Sequence, residues 1–245
     1  MSLQNRDTLK GFFRKGRMPA ENHFNDLIDS MINKVDDGMA KSSEEGLMLS
    51  PIGASKKLLS FYKSIEDKSP VWSMDIGEGD GNLNINNHLG DSIISVKSDG
   101  KVGVNNEDPE YALDVNGIIG IQSRIGTRYQ GKVPADGEWH PILTGLNGCH
   151  ALEIVAGVGK KKAGRYALIH GKALSTYGKS RNKIDITQAY YGVRSNRIQL
   201  RWTGTTYDYN LEMRTRSNYE GSYFVRYYIS DLWLDHFMDD GIELT

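Results

Sequence analysis

The chain has 245 residues, with 30 Lys and Arg against 31 Asp and Glu and a formal net charge of -1. That balance lacks the basic footprint of a general nucleic-acid binder, and no run approaches the roughly 20 apolar residues that cross a bilayer. Neither nucleic-acid binding nor membrane insertion is expected. A hydrophobic share of 38% with 27 glycines points to many turns and much open surface, with burial completed by other chains. The single cysteine, Cys149, excludes an internal disulfide and reads as a small buried apolar residue.

Residues 1–40 read as helical. Met1 to Gly16 is polar and charged, without the apolar core of a signal peptide. Synthesis in the cytoplasm is expected, with any outward passage by another route. Around Asp7 to Lys15, Leu9, Phe12 and Phe13 share one helical face, and Gly16 is a plausible stop. Pro19 and Glu21 then open a second helix. Phe24, Leu27, Ile28, Met31, Ile32 and Val35 follow at spacings of three and one, a continuous apolar stripe that Gly38 is expected to close. Two short helices have too little surface to bury this stripe and the Phe12–Phe13 patch. Residues 1–40 are therefore expected to serve attachment or oligomerisation, against the plainer reading of a two-helix lid on the next domain.

Between residues 41 and 121 the helical period disappears. Short alternating runs take its place: Leu47–Leu49, Leu58–Tyr62, Val71–Ile76, Leu83–Ile85, Ile93–Val96, Val102–Val104, Leu113–Val115 and Ile118–Ile121. Gly- and Asn-rich turns separate them. Asp99-Gly100 between Ile94/Val96 and Val102/Val104 predicts a tight hairpin with a primed turn. Each run offers two or three apolar side chains, too few for a core within one chain. Three chains around one axis would bury the same residues against their copies, which predicts a β-shaft in a homotrimer.

The segment from Gly100 to Gly117, GKVGVNNEDPEYALDVNG, resembles one found in phage tail fibres and related bacterial surface fibres. That pattern runs Val-Gly-Ile/Val, a turn ending in Pro, then Leu-Asp-Val-x-Gly. The resemblance implies shaft-core roles for Val102, Val104, Leu113 and Val115, a turn ending at Pro109 and a bend at Gly117. Asn105 stands where the pattern has Gly, and Asn also tolerates the left-handed conformation. The C-terminus does not look like the self-cleaving chaperone domain of many such fibres, so no autoproteolysis is implied. The overall layout also resembles fibre and adhesin components of contractile injection systems.

Residues 122–245 predict a larger antiparallel β domain. Its strand candidates are Ile125–Val133, Trp139–Thr144, Ala151–Val158, Arg165–Leu174, Lys183–Tyr191, Arg197–Trp202, Tyr207–Thr215 and Tyr223–Trp233. Their spacing fits a sandwich of jelly-roll type. Ile198, Leu200 and Trp202 share one face, as do Tyr207, Tyr209, Leu211 and Met213. Phe224, Arg226 and Tyr228 alternate with Val225, Tyr227 and Ile229, so the last strand reads as covered on both faces or set at a subunit contact.

No catalytic arrangement emerges. Gly157-Val158-Gly159-Lys160-Lys161 departs from a phosphate loop, since Lys161 stands where Ser or Thr should bind magnesium; a solvated basic hairpin fits better. His-Glu-x-x-His and paired Cys-x-x-Cys are missing, and His23, His88, His140, His150, His170 and His236 are scattered. Asp75, Glu78 and Asp80 lie in a Gly-rich turn whose spacing departs from a calcium loop. Asp231, Asp235, Asp239 and Asp240 read as a solvated acidic tail. No cofactor or metal is expected. Tyr190, Tyr191, Arg194 and Asn196 cluster around a turn at Gly192 and suit stacking and hydrogen bonding to a sugar or protein receptor; equally, the two tyrosines fit a trimer seam.

The expectation is a mainly β, non-enzymatic homotrimer on a larger phage-tail-like, extracellular or virion-like particle. Residues 1–40 would meet a baseplate or tail component, 41–121 would form the shaft, and the sandwich tip 122–245 would meet a cell-surface glycan or protein. A structural connector or cap without a receptor, and a carbohydrate-active enzyme on a fibre scaffold, are the alternatives.

Overall fold

A computed structural model of the chain describes residues 4–31, 36–77 and 81–241. The chain is mainly β and divides into two units, Met1–Gly120 and Ile121–Thr245. The zones read as helical anchor and shaft both fall in the first unit, save Ile121.

Helix α1 (Arg6–Phe12) starts where Asn5 Oδ1 accepts from Thr8 N at 2.9 Å, a side-chain cap on an orphan donor. It ends at Phe13; Gly16 sits beyond it with φ +86°, in the turn that Arg17 N closes by donating to Arg14 O. Helix α2 (Glu21–Asp29) ends sooner than the stripe predicts. Ser30 caps it, its hydroxyl donating back to Asp26 O at 2.7 Å, the local bonding by which serine competes with helix propagation. Gly38 therefore does not close the helix. It precedes the unforeseen strand β1 (Met39–Ser42), which pairs with β2 (Gly46–Leu49) in a two-stranded hairpin. A Cβ on Gly38 would collide with the Ser50 carbonyl.

Six strands follow as one sheet in chain order: β3 (Lys57–Phe61), β4 (Trp72–Ile76), β5 (Leu83–Asn86), β6 (Ser92–Val96), β7 (Val102–Val104) and β8 (Leu113–Val115). Neighbours are antiparallel except β7 and β8, which are parallel. The β6–β7 hairpin forms as expected, but not through a primed turn. Such a turn needs positive φ at both central residues, and here Gly100 alone is left-handed, with Gly100 N donating to Lys97 O at 2.9 Å. Between β7 and β8 the chain doubles back tightly. Asn105 adopts φ +51°, and the Asn106 carbonyl lies where a Cβ on Gly103 would stand, so Val-Gly-Val needs its glycine. Ile118–Ile121, expected as a strand, is irregular and exposed; it has glycine on either side of Ile118-Ile119 and no neighbouring strand to pair with.

Register and the two-residue period sort the sheet into unlike faces. Leu59, Met74, Ile85, Ile94, Val104 and Val115 form one apolar row, and Ile76, Leu83, Val96, Val102 and Leu113 form the next on the same side. Asp75, Asn84, Ser95, Gly103 and Asp114 form a row on the opposite side. The burial is inverted from that of an ordinary one-sided sheet. Among the described residues of the first unit, only Ser73, Asn82, Asn86, Ser95, Gly103 and Pro109 are buried, and every apolar side chain of the two rows is half-buried or exposed.

The second unit holds β9 (Tyr129–Pro134), β10 (His140–Leu146), β11 (Cys149–Gly159), β12 (Tyr166–Thr176), β13 (Lys183–Tyr191), β14 (Ile198–Gly204), β15 (Tyr209–Thr215) and β16 (Phe224–Asp231). A five-stranded sheet in the order β13-β12-β11-β16-β9 and a three-stranded sheet in the order β10-β15-β14 share one hydrophobic cluster. Leu152, Ile154, Ile169, Val225 and Ile229 come from the first sheet; Ile198, Leu211 and Met213 come from the second. This two-layer packing is consistent with a sandwich. Its order departs from a jelly roll, because β11, β12 and β13 run as a meander within one sheet. Two buried tyrosine hydroxyls are satisfied: Tyr209 Oη donates to Gly148 O at 2.8 Å, and Tyr219 Oη donates to Asn196 O at 2.6 Å. Cys149 is buried and free.

Candidate functional site

A strand with one buried face normally fills its other face with side chains. The end of β11 does not. Val158 points into the core, so Gly157 and Gly159 occupy the outer face of the five-stranded sheet. The ladder places Gly157 between Leu168 on β12 and Arg226 on β16, and Gly159 opposite Tyr166. A Cβ on Gly157 would stand 3.3 Å from Leu168 Cδ1, and one on Gly159 would stand 2.5 Å from Tyr166 Cδ1. The two glycines thus leave a bare floor, and their neighbours lean over it. The result is an open trough of about 860 Å³.

Its walls combine rings and cations. Tyr166 and Tyr191 meet edge to face at 6.0 Å on one side. On the other, Lys132 Nζ stands 4.8 Å from the centre of the Phe224 ring. Arg226 lies beside the floor, and Lys160 and Lys161 in the β11–β12 turn close the end. Among the described residues, no carboxylate lines the trough. It can therefore stack a planar or sugar-like face on its aromatic edges while its cations draw in negative charge. Farther along the same face Glu153 is held by Arg124, both oxygens at 2.8 Å from Nη2, and by His170 Nε2 at 3.0 Å.

The sequence-predicted tip cluster is only partly assembled. Tyr190 and Tyr191 line the trough, and Tyr190 also carries the Arg197 guanidinium 4.8 Å from its ring centre. Arg194 is exposed in a short 3₁₀ turn. Asn196 is 2% exposed, and its Nδ2 donates to Tyr191 O at 2.7 Å. It shapes the turn and is out of a receptor's reach. Strand β16 is covered on one face: Val225, Tyr227 and Ile229 are in the core, while Phe224 and Arg226 are open beside the trough.

No protein-family model matches this chain, and no curated protein matches it. Val102, Val104 and Val115 are half-buried on the apolar face of the six-stranded sheet, Leu113 is 62% exposed there, and Pro109 is buried.

In the helical segment, Phe13 and Phe24 meet edge to face at 5.4 Å, and Phe12 stacks on His23 at 4.2 Å. Phe12 and Leu27 are half-buried, while Phe13, Phe24, Ile28 and Met31 are exposed. Ile32 and Val35 lie outside the described residues, as do Glu78 and Asp80. Asp75, the remaining member of the acidic turn, accepts from both Asn84 Nδ2 and Asn86 Nδ2, so its oxygens are engaged within the sheet. Asp231 is not part of a solvated tail. Its side chain is 5% exposed, and His236 Nε2 lies 3.3 Å from its Oδ2. His150 is also buried, and that burial pushes its imidazole pKa down, so the neutral ring prevails at neutral pH.

Proposed function

We propose that the chain is a subunit of a homotrimeric, fibre-like structural and receptor-binding protein. Residues 1–40 attach it to a baseplate or tail component of a larger phage-tail-like particle, 41–121 form the shaft, and 122–245 present the trough to a cell surface. The observation that carries this reading is the apolar face of the six-stranded sheet. Two full rows of Leu, Ile, Val and Met lie half-buried or exposed, none of them fully covered, in a unit whose described residues bury no apolar side chain from these groups. Full exposure of such a side chain is unfavourable by roughly 1.5–3 kcal/mol relative to full burial, and the half-buried ones retain a fraction of that. Three copies with these faces turned to a common axis remove that contact, and the helical stripe supplies a second apolar surface for attachment.

The trough supports the binding role and narrows its chemistry to an anionic saccharide of the cell surface, whose rings stack on the tyrosines and whose acid groups meet Lys132, Lys160, Lys161 and Arg226. Three such sites on one trimer reinforce each other through effective concentration. A trough lining without carboxylates among the described residues also offers no acid pair of the kind most sugar-cleaving enzymes use.

Light scattering on the full chain is expected to return three chains per particle, and immobilised anionic glycans are expected to capture it in a salt-sensitive way. A well-folded monomer at micromolar concentration overturns the trimer. Failure to hold anionic glycans turns the reading toward a connector or cap, and turnover of the glycan turns it toward an enzyme.

A further inference from the structure

His150, Asp231 and His236 each bring one potential ligand atom to within 4.8 Å of the others. They come from separate parts of the fold. Asp231 closes β16 opposite Leu152 of β11, so His150, two residues earlier on β11, lies diagonally across from it. His236 comes back from the segment after β16. Its carbonyl accepts from Cys149 N at 2.6 Å and lies where a Cβ on left-handed Gly148 would stand. The ring centres of His150 and His236 are 4.2 Å apart.

The hydrogen bonds leave this cluster incomplete in a specific way. His150 Nε2 is 3.0 Å from Asn147 O. A carbonyl only accepts, so Nε2 holds the proton and Nδ1 of the neutral ring holds a lone pair. Nδ1 is buried without a partner, and so is Asp231 Oδ1. His150 is 6% exposed and the Asp231 side chain 5%. Two buried acceptors in one cluster call for a cation rather than another acceptor.

We propose that His150, Asp231 and His236 form a binding site for one divalent transition-metal ion of the zinc class. Two imidazoles and a carboxylate are a standard donor set for such ions. The Asn147 carbonyl fixes the His150 tautomer, as outer partners of metal-bound histidines do. Bonds of about 2.0–2.2 Å bring tetrahedral ligand atoms to roughly 3.4 Å of each other. His236, whose side chain is 25% exposed, turns inward to reach that spacing. Three protein ligands leave a place for water, and the adjoining cavity of about 470 Å³, lined by His150, His236, Asn147 and Thr144, gives the ion its way in. The bound ion ties the C-terminal segment to β11.

Calorimetric titration of the chelator-treated full chain with zinc tests this. One ion per chain and a raised thermal midpoint are expected, with ligand-field absorption when cobalt(II) replaces zinc. His236→Ala is expected to lower affinity by more than about tenfold, the loss that removing even an outer partner produces, and to abolish the thermal gain. His236→Asp, which restores an oxygen donor, recovers part of both. His170→Ala, on the outer sheet face, leaves them unchanged. Circular dichroism of each variant shows that its fold is retained. Absence of saturable zinc binding overturns the site, as does binding that His236→Ala and His236→Asp both leave intact.

Discussion

Glycine in the middle of a strand weakens it, because it adds backbone entropy and offers nothing to pack. Gly157 therefore sets local stability against the open trough floor. In Gly157→Val, the new Cβ crowds only the flexible end of Leu168, at 3.3 Å, and touches the Ala167 carbonyl at an ordinary 3.6 Å, and valine suits a strand. Thermal stability is expected to hold or to rise by up to about 1 kcal/mol, while retention on an anionic glycan falls at least about tenfold. Denaturation and glycan-binding assays on the same sample read the two opposite effects. Tyr219 gives a separate residue-scale test. It is 3% exposed, and burial pushes its phenol pKa from 10.0 up to about 12. The folded state thus keeps the proton where the unfolded chain releases it, so its contribution is intact below pH 10 and is lost as pH rises toward 12. The difference is on the order of 3 kcal/mol. Urea denaturation of wild type and Tyr219→Phe across that range is expected to show a steeper alkaline loss in wild type. None of these roles could be read from residue types alone. Asn196 looked like a receptor contact, because asparagine in a Gly-rich turn also serves that purpose; its burial is set by the pairing of β13 with the turn that follows. The trough arises from side chains that are missing, and the His150–His236 cluster from strand neighbours far apart in sequence.

At the scale of elements, period-two alternation located the strands well. Val102–Val104, Leu113–Val115 and Lys183–Tyr191 have the bounds that alternation and turn signals indicate. Where pattern and pairing part, the pattern misleads. Met39–Ser42 has no alternation yet forms β1 because β2 lies opposite, whereas Ile118–Ile121 has the apolar content and no partner. The helical stripe likewise continues in the sequence after Asp29, but the Ser30 hydroxyl takes the Asp26 carbonyl and ends α2. The six-stranded sheet gives the element-scale prediction. Ile94 stands between Ile85 and Val104 in an apolar row that its own chain only half buries. Ile94→Asp is expected to be tolerated in a lone chain but to place three carboxylates at the axis of the proposed trimer, where desolvation opposes assembly. Sedimentation is expected to shift from three chains to one, while the circular dichroism of the second unit's sheets persists.

The two units of the whole molecule differ in what stabilises them. The second closes two sheets on a cluster that includes Leu152, Ile154, Leu211, Met213, Val225 and Ile229, and it needs no other chain for that core. The first offers an apolar sheet face and an apolar helical stripe, but its described residues enclose no corresponding core. Stability that comes from association depends on concentration by mass action, whereas stability from an internal core does not. Full-length protein is therefore expected to unfold in two calorimetric steps. The step belonging to Met1–Gly120 moves to higher temperature as protein concentration rises, and the step belonging to Ile121–Thr245 stays fixed. A fragment of residues 121–245 is expected to reproduce the fixed step alone and to keep glycan binding, with affinity lowered toward that of one site because the linked trimer is gone. Two concentration-independent steps would mean that the first unit stands without its copies, and would remove the ground for the shaft.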